Sequence, residues 1–384
     1  MSMPSHKPRV FILNPDHVMV VKDLASKPDN PYAEDLRVLQ VAADTILAAD
    51  KVYTVTWSGH LPPSGDIHDY FSISPYWWPD PDKPDGLPYI RKDGVTNPER
   101  DKISDRRPCE KMITDVCTLS RAYYFLGEEK YAAYATRLLR AWFLDEDTKM
   151  NPNINYGQIR RGHNLGHKSG LIETRRFCLL VDAIGLLESS LSWTPDDQKA
   201  LNAWMNDFLD WLIFHPLGCE ERDSSNNHGT AYDMQVIALC LYTGRRELAK
   251  LVLEHHTKNR VCTQIEPDGS QPEELRRTKG WHYCVENIKY FFCIAQMATH
   301  LGLTIYDEPK EGNGGLKGAI QWLLPHTTWE NNWPYMQITA WQPERFLGTL
   351  HVAFAVYKCD KMKETLERMG WQTPDLETFI NIPD

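Results

Sequence analysis

Two short stretches carry side chains that can bind an acid and exchange protons. The run DSSNNHGTAYDMQVIALCLYTG begins at Asp223 and sets Asn226, Asn227 and His228 at the entrance of an apolar segment. The run PEELRRTKGWHY begins at Pro272, follows the turn PDGSQP, and places Tyr283 six positions after Arg277 and seven after Arg276. An amide and a guanidinium are donors suited to a carboxylate, while an imidazole and a phenol are groups that exchange protons. A Ser or Asp alone would cap the helix after Asn226, so an amide beside an imidazole asks for a further reason. If the second run is helical, residues six or seven apart lie near one face, and an arginine and the tyrosine then point into one cavity.

Two further stretches offer groups for holding a sugar. HDYFSISPYWWPDPDKPDGLPYIRKDG (68–94) lies within a Pro-, Asp- and aromatic-rich loop running from about Leu61 to Arg107. Loops that long inside a compact domain are usually functional. Tyr76, Trp77 and Trp78 are candidate substrate-binding residues there, because sugar rings stack on flat apolar faces; the alternative is a loop that merely staples the fold. NPNINYGQIRRGHNLGHKSGLIETRR (151–176) supplies Asn155, Tyr156, Gln158, Arg160 and Arg161, then His163 and His167, all suited to carboxylates and hydroxyls. The two histidines are four apart, a zinc-like spacing on a helix. Gly162, Gly166 and Gly170 argue against a helix at that point, so neither a metal nor a cofactor is expected.

The composition narrows the partners. With 42 Lys and Arg against 52 Asp and Glu, the net charge is −10, which argues against nucleic acid as a general partner. An anionic substrate then needs a local basic patch, and Arg160–Lys168 and Arg276–Lys279 are the candidates. Hydrophobic residues make up 42%, enough for a large core, and 13 Trp with 17 Tyr suit a carbohydrate-facing cleft. Nine cysteines without a CxxC pair, several in apolar runs such as those around Cys178, Cys240 and Cys293, read as buried free thiols. No apolar stretch reaches the length of a membrane span, and MSMPSHKPRV lacks the features of a signal peptide.

The elements that must position these groups are helical almost throughout. After an extended start at Arg9–Asn14, apolar residues recur at helical spacing over Glu34–Asp50. Helices then come in pairs that turn at Gly127 and at Gly244, each followed by three charged residues. Thr194, Pro195 and the acids after them predict a capped helix start. Further helices are expected at about Ser169–Ser189, His282–His300, Leu316–Leu324 and Pro343–Lys358. Strand and helix do not alternate, so the expected fold is all-α: an α/α toroid or incomplete barrel of helical hairpins with long loops over the cleft. One catalytic domain is expected over residues 1–384, with 1–33 an extended N-terminal segment.

Taken together, PYWWPDP, KPDGLPYIRKDG, NPNINYGQ, NNHGTAYD and PEELRRTKGWHY resemble the alginate lyase superfamily of polysaccharide lyases, in the branch with broad alginate lyases and glucuronan lyases. The resemblance spans roughly Leu36 to Leu350. It implies a secreted or periplasmic toroid that cleaves a β-1,4-linked polyuronate by β-elimination, with an anionic polysaccharide as its partner. The family's catalytic Asn and His match Asn227 and His228, its Tyr matches Tyr283, and its Arg falls on Arg277 or, one residue earlier, on Arg276. The loop QIRRGHNLGHKSG departs from the family's Gly-rich version, which bears on substrate preference.

Physical chemistry agrees with those roles. The C5 proton of a uronate is barely acidic until the charge of its carboxylate is quenched, and Asn227 with Arg277 can stabilise the enolate that develops. In mannuronate and glucuronate the C5 proton and O4 lie on one side, so Tyr283 can act as both base and acid if nearby cations ease loss of its proton. In guluronate they lie on opposite faces, and His228 would be the base with Tyr283 the acid. Two alternatives stay open: an α/α-toroid hydrolase using two carboxylates among Glu173, Asp268, Glu273 and Glu274, and a polysaccharide-binding protein without catalysis.

Overall fold

The computed structural model describes residues 7–57, 59–308, 314–327, 332–371 and 373–383. The chain divides into two compact units, one made of Met1–Asp23 with Ser224–Asp384 and the other of Leu24–Asp223. In order the helices are α1 Pro15–Leu24, α2 Ala33–Ala49, α3 Arg106–Leu126, α4 Glu129–Phe143, α5 Phe177–Leu187, α6 Pro195–Phe214, α7 Pro216–Arg222 and α8 Asn227–Thr243. They continue with α9 Arg246–Val252, α10 Lys258–Gln264, α11 Pro272–Leu275, α12 Gly280–Thr299, α13 Gly315–Leu323, α14 Leu347–Tyr357, α15 Asp360–Arg368 and α16 Leu376–Phe379. The class is all-α, as the periodicity implies.

In the Leu24–Asp223 unit, α3 packs on α4 and α5. The α3–α4 hairpin turns at Gly127, whose φ of 76° favours a residue without a Cβ, and whose N–H donates to the Tyr123 carbonyl at 2.8 Å. Helix α6 starts with the capping box written in its sequence: Asp197 N donates to Thr194 Oγ1 at 3.2 Å and Thr194 N to Asp197 Oδ2 at 2.9 Å. Its buried face adds Trp204 and Phe208 to Phe143 and Phe177, with the Phe143 and Trp204 rings 4.6 Å apart. The long aromatic loop is not wholly irregular. Strand β1 (Phe71–Ile73) pairs in parallel with β4 (Tyr156–Ile159), and β2 (Trp77–Trp78) pairs antiparallel with β3 (Ile90–Arg91). Two pairings this short lie below what period-two patterning can reveal.

The other unit is built around α8, which packs along α12 and is buried on every side from Gly229 to Tyr242. A helix that lacks a polar face belongs inside a core. It stops at Gly244, φ 80°, before α9, as its sequence predicts. The expected continuous helix after Gly244 contains a π-turn at Leu253–Thr257. From the end of that turn and the first residues of α10, Thr257 Oγ1 and Arg260 Nε both donate to Asp233 Oδ2, at 3.0 and 2.8 Å. Arg260 Nη1 also donates to the Ser224 carbonyl at 2.8 Å, which ties the segment before α8 to α10.

Two expectations are corrected. The segment expected to be extended contains α1, whose start is signalled by Asn14, with Oδ1 accepting from Asp16 N at 2.9 Å, and by Pro15 at the first helical position. The helix expected at Ser169–Ser189 begins as a 3-10 segment, Lys168–Thr174, and becomes α-helical only at Phe177. None of the nine cysteines is in a disulfide; Cys178 and Cys240 are buried as expected, whereas Cys293 is half-buried and Cys262 exposed. Among the described residues no helix is long and apolar enough to cross a membrane.

The Arg260–Asp233 pair is buried at both ends, so removing only the cation strands a charge. Replacing Arg260 with Met should lower unfolding free energy by about 3–5 kcal/mol. Chemical denaturation checks this, and Asp233→Asn in the same chain should restore part of the loss. An unchanged midpoint in Arg260→Met would show that the pair does not anchor α8.

Candidate active site

The entrance of α8 divides labour between its two asparagines. Asn226 is extended, at φ −125° and ψ −168°, and its Oδ1 accepts from His228 N at 3.2 Å. Capping therefore falls to Asn226, and Asn227 is left as the first helical residue. Asn227 is 5% exposed and is held by one carboxylate: its backbone N donates to Glu274 Oε1 and its Nδ2 to Glu274 Oε2, each at 2.6 Å. An Asn amide carries two N–H donors, so this clamp uses one and leaves the other. His228, next along, is half-buried.

Glu274 sits in α11 and is 1% exposed. Burial pushes its carboxyl up to about 7, against the opposing pull of the two Asn227 donors, His228 and Arg277. In the sequence Glu274 stands out only as a candidate hydrolase carboxylate. The run EELRR gives no sign that its second acid will fold against the entrance of α8, 47 positions earlier.

Arg277 and Tyr283 meet, but not by helical spacing. Helix α11 ends at Leu275 and α12 starts at Gly280, so Arg276–Lys279 form a turn. Across that turn the Arg277 guanidinium lies 4.3 Å from the centroid of the Tyr283 ring, with Nη2 3.3 Å from the phenol oxygen. The turn is pinned from outside: Gly280 N donates to the Met336 carbonyl at 3.0 Å and Ile338 N to the Thr278 carbonyl at 2.9 Å. Trp281 is fully buried, 4.5 Å from Trp341 and 5.6 Å from Trp333 between ring centres, which fixes the start of α12. Arg276 instead is exposed and pairs with Glu273. The contact with the phenol thus belongs to Arg277.

Below these groups lies a lattice of buried amides that the sequence did not reveal. Asn287 Nδ2 donates to Gln264 Oε1 at 3.0 Å and to Gln271 Oε1 at 2.9 Å. Thr230 Oγ1 donates to the same Gln264 oxygen at 3.0 Å, and Gln264 Nε2 reaches the Asn226 carbonyl at 3.3 Å. The lattice links the entrance of α8 to α10, to α12 and to the residue before α11. Its only signal in the sequence is single amides set within apolar helical runs.

The other residues expected to bind substrate belong to the Leu24–Asp223 unit. Arg160 stacks over Trp77, 4.2 Å from its ring centre, and Trp78 Nε1 donates to the Val95 carbonyl at 2.9 Å. Tyr76 lies just before this pair, with its carbonyl accepting from Lys92 N at 2.7 Å. Others build the loop itself. Arg161 grips Glu99 Oε1 at 2.6 and 3.0 Å, Asn155 Oδ1 accepts from Trp211 Nε1 at 2.9 Å, and Tyr156 packs against the Phe71, Ile73 and Ile159 cluster. Gln158 is buried at a left-handed φ of 49° and bonds Glu173 and Ser169. His167 caps the 3-10 segment through Ser169 N at 3.1 Å, while His163 is exposed. Residues 163–167 are not helical, so the four-residue spacing does not put the histidines on one helix face.

The hydrolase carboxylates are each engaged structurally. Glu173 is buried and accepts from Tyr70 Oη at 2.8 Å and Ser72 Oγ at 2.6 Å. Asp268 accepts from Ser270 N at 2.8 Å in its own turn, Glu273 pairs with Arg276, and Glu274 holds Asn227.

Comparison with known proteins converges on one family. The family described as Alginate lyase matches residues 54–333. A crystal structure of an alginate lyase from Bacteroides ovatus is 36% identical and superposes with a TM-score of 0.92, covering 98% of this chain and 100% of that one. Alginate lyase A1-III from Sphingomonas species A1 is 14% identical, with a TM-score of 0.60 and full coverage of both chains. A variant of A1-III complexed with tetrasaccharide is 15% identical, with a TM-score of 0.56, covering 89% of this chain and 92% of that one. These likenesses carry the helical-toroid class expected from the sequence. No curated protein sequence gives a significant match.

Two outcomes follow. Arg277→Ala should lower kcat/KM by about 10²-fold or more, while Arg276→Ala, on the outer side of the turn, should leave it close to wild type; the reverse ranking in a lyase assay would move the role to Arg276. Glu274 sits at about 7 when folded against a usual 4.5, so the folded state binds its proton more tightly. That contribution is complete below about 4.5 and disappears as pH rises through 7. The stability of wild type relative to Glu274→Gln, followed by urea unfolding, should fall across that window; a constant difference would contradict it.

Proposed function

The chain belongs to the alginate lyase family, and from that premise we propose that this polysaccharide lyase cleaves a β-1,4-linked polyuronate, alginate or a glucuronan, by β-elimination. The observation that carries the reading is the Arg277 guanidinium held against the Tyr283 phenol at 3.3 Å, in the unit where Asn227 and His228 open α8. Alginate as the polymer is supported by the 36% identity to the Bacteroides ovatus alginate lyase. An oligosaccharide as ligand is supported by the tetrasaccharide complex of A1-III.

The chemistry follows from the groups. A uronate carboxylate accepts from the remaining Asn227 N–H and from Arg277, which quenches its charge and makes the C5 proton removable. A cation beside a phenol favours the phenolate, so Tyr283 is suited to take that proton. The C5 electrons form the C4–C5 double bond, the C4–O4 bond breaks, and the proton passes to O4 from the same tyrosine. This single-residue path suits mannuronate and glucuronate, where proton and leaving group share a face. For guluronate, His228 takes the C5 proton from the opposite face and Tyr283 protonates O4.

Ultraviolet absorbance of the unsaturated product on a panel of polyuronates tests the reading. Tyr283→Phe should lower turnover on every substrate by about 10²–10⁴-fold, and His228→Ala should impair guluronate-rich polymer more than mannuronate-rich polymer. Near-normal turnover by Tyr283→Phe, or new reducing ends without new absorbance in the wild type, would sink the assignment.

A further inference from the structure

We propose that Glu274 is a positioning residue for this elimination: its carboxylate fixes which end of the Asn227 amide it faces and so presents the second N–H to the uronate. The inference rests on the reading of Asn227 as a carboxylate donor. Its own support is geometric. Both Glu274 oxygens are occupied by a single residue, Oε1 by the backbone N and Oε2 by the side-chain Nδ2 of Asn227, each at 2.6 Å. A carboxylate is an acceptor at both oxygens. Turning the Asn227 amide over would set its Oδ1 against Oε2, two acceptors in contact, where 1% and 5% exposure leave little access for water to relieve them.

The clamp is itself held. Glu274 N and Leu275 N both donate to the Gln271 carbonyl at 3.0 Å, and the Gln271 side chain is tied to Asn287 at 2.9 Å and to the Cys284 carbonyl at 3.3 Å on α12. The acid is therefore referenced to the helix that carries Tyr283, and through it so is the Asn227 amide. Burial raises the Glu274 carboxyl to about 7, so the clamp is a two-oxygen acceptor above that pH and gains an O–H donor below it. His228 from α8, Arg277 from the turn and Cys284 from α12 are the titratable or charged groups that feel it.

Glutamine at this position keeps the shape but offers one acceptor and one donor. If its oxygen stays on the backbone N–H, its amino group faces Asn227 Nδ2, and the Asn227 amide turns over to relieve the clash. The test is a double-mutant cycle in the ultraviolet lyase assay on the full chain, with thermal unfolding run in parallel. Glu274→Gln should lower kcat by about 10²-fold with KM little changed, since the lost contact matters most as the enolate forms. In an Asn227→Ala background, Glu274→Gln should cause no further loss. Glu274→Asp retains a two-oxygen acceptor and should recover part of the activity; it also carries the cycle if the glutamine variant does not fold. Additive losses in the cycle, or a folded Glu274→Gln enzyme with wild-type kcat, would overturn this role alone. Wild-type kcat in Asn227→Ala would instead overturn the reading of Asn227, and this proposal with it.

Discussion

A guanidinium lying on a phenol is the contact on which the account turns. A free tyrosine in water is a poor base at neutral pH, and a uronate C5 proton is a poor acid. In the proposed mechanism Arg277 acts on both difficulties, because a cation stabilises the phenolate and the enolate alike. The contact depends on a break in the chain. Were Pro272–Thr299 one helix, Arg277 and Tyr283 would sit six residues apart with their side chains projecting from a common cylinder. The turn at Arg276–Lys279 lets the arginine fold back across the first turn of α12. Backbone bonds from Gly280 to Met336 and from Ile338 to Thr278, with Trp281 buried behind, hold the turn.

Around that contact the protein keeps many polar groups inside an apolar core. Such groups are costly when unpaired and rigidifying when paired. Thr230, Gln264, Gln271 and Asn287 bond to one another, and Asp233 is answered by Thr257 and Arg260. The result is that α8, apolar nearly all round, presents its one polar end in a fixed place. Gly229 shows how tight this is: a Cβ there would lie 2.2 Å from both Arg260 Nη1 and the Ser224 carbonyl oxygen. The glycine after Asn227–His228 is thus a packing requirement of the same arrangement.

Much of this was legible in the sequence, for identifiable reasons. Helix periods, the Thr194 capping box and the glycine stops at 127 and 244 are local signals, and the structure follows them. Asn227, His228, Arg277 and Tyr283 stood out because their types fit one chemistry, and the structure brings Arg277 to Tyr283. Helical spacing does not make that contact; the turn at Arg276–Lys279 does. What stayed hidden is non-local: Glu274 under Asn227 is a contact across 47 positions. Gln158, Asn155 and Arg161 read as sugar-binding groups, yet each is bonded to another element of its unit: Gln158 to Glu173, Asn155 to Trp211 on α6 and Arg161 to Glu99. A polar residue in a loop has the same composition whether it faces a ligand or its neighbours.

Membership of the alginate lyase family sets the reaction class, and the geometry of one unit supports the proposed route. The most direct measurement is a crystal structure of Tyr283→Phe with a bound mannuronate oligomer. The account predicts one uronate carboxylate within hydrogen-bond reach of Asn227 Nδ2 and the Arg277 guanidinium, with C5 turned toward position 283. A carboxylate bound away from both groups, or C5 facing away from that position, would contradict it.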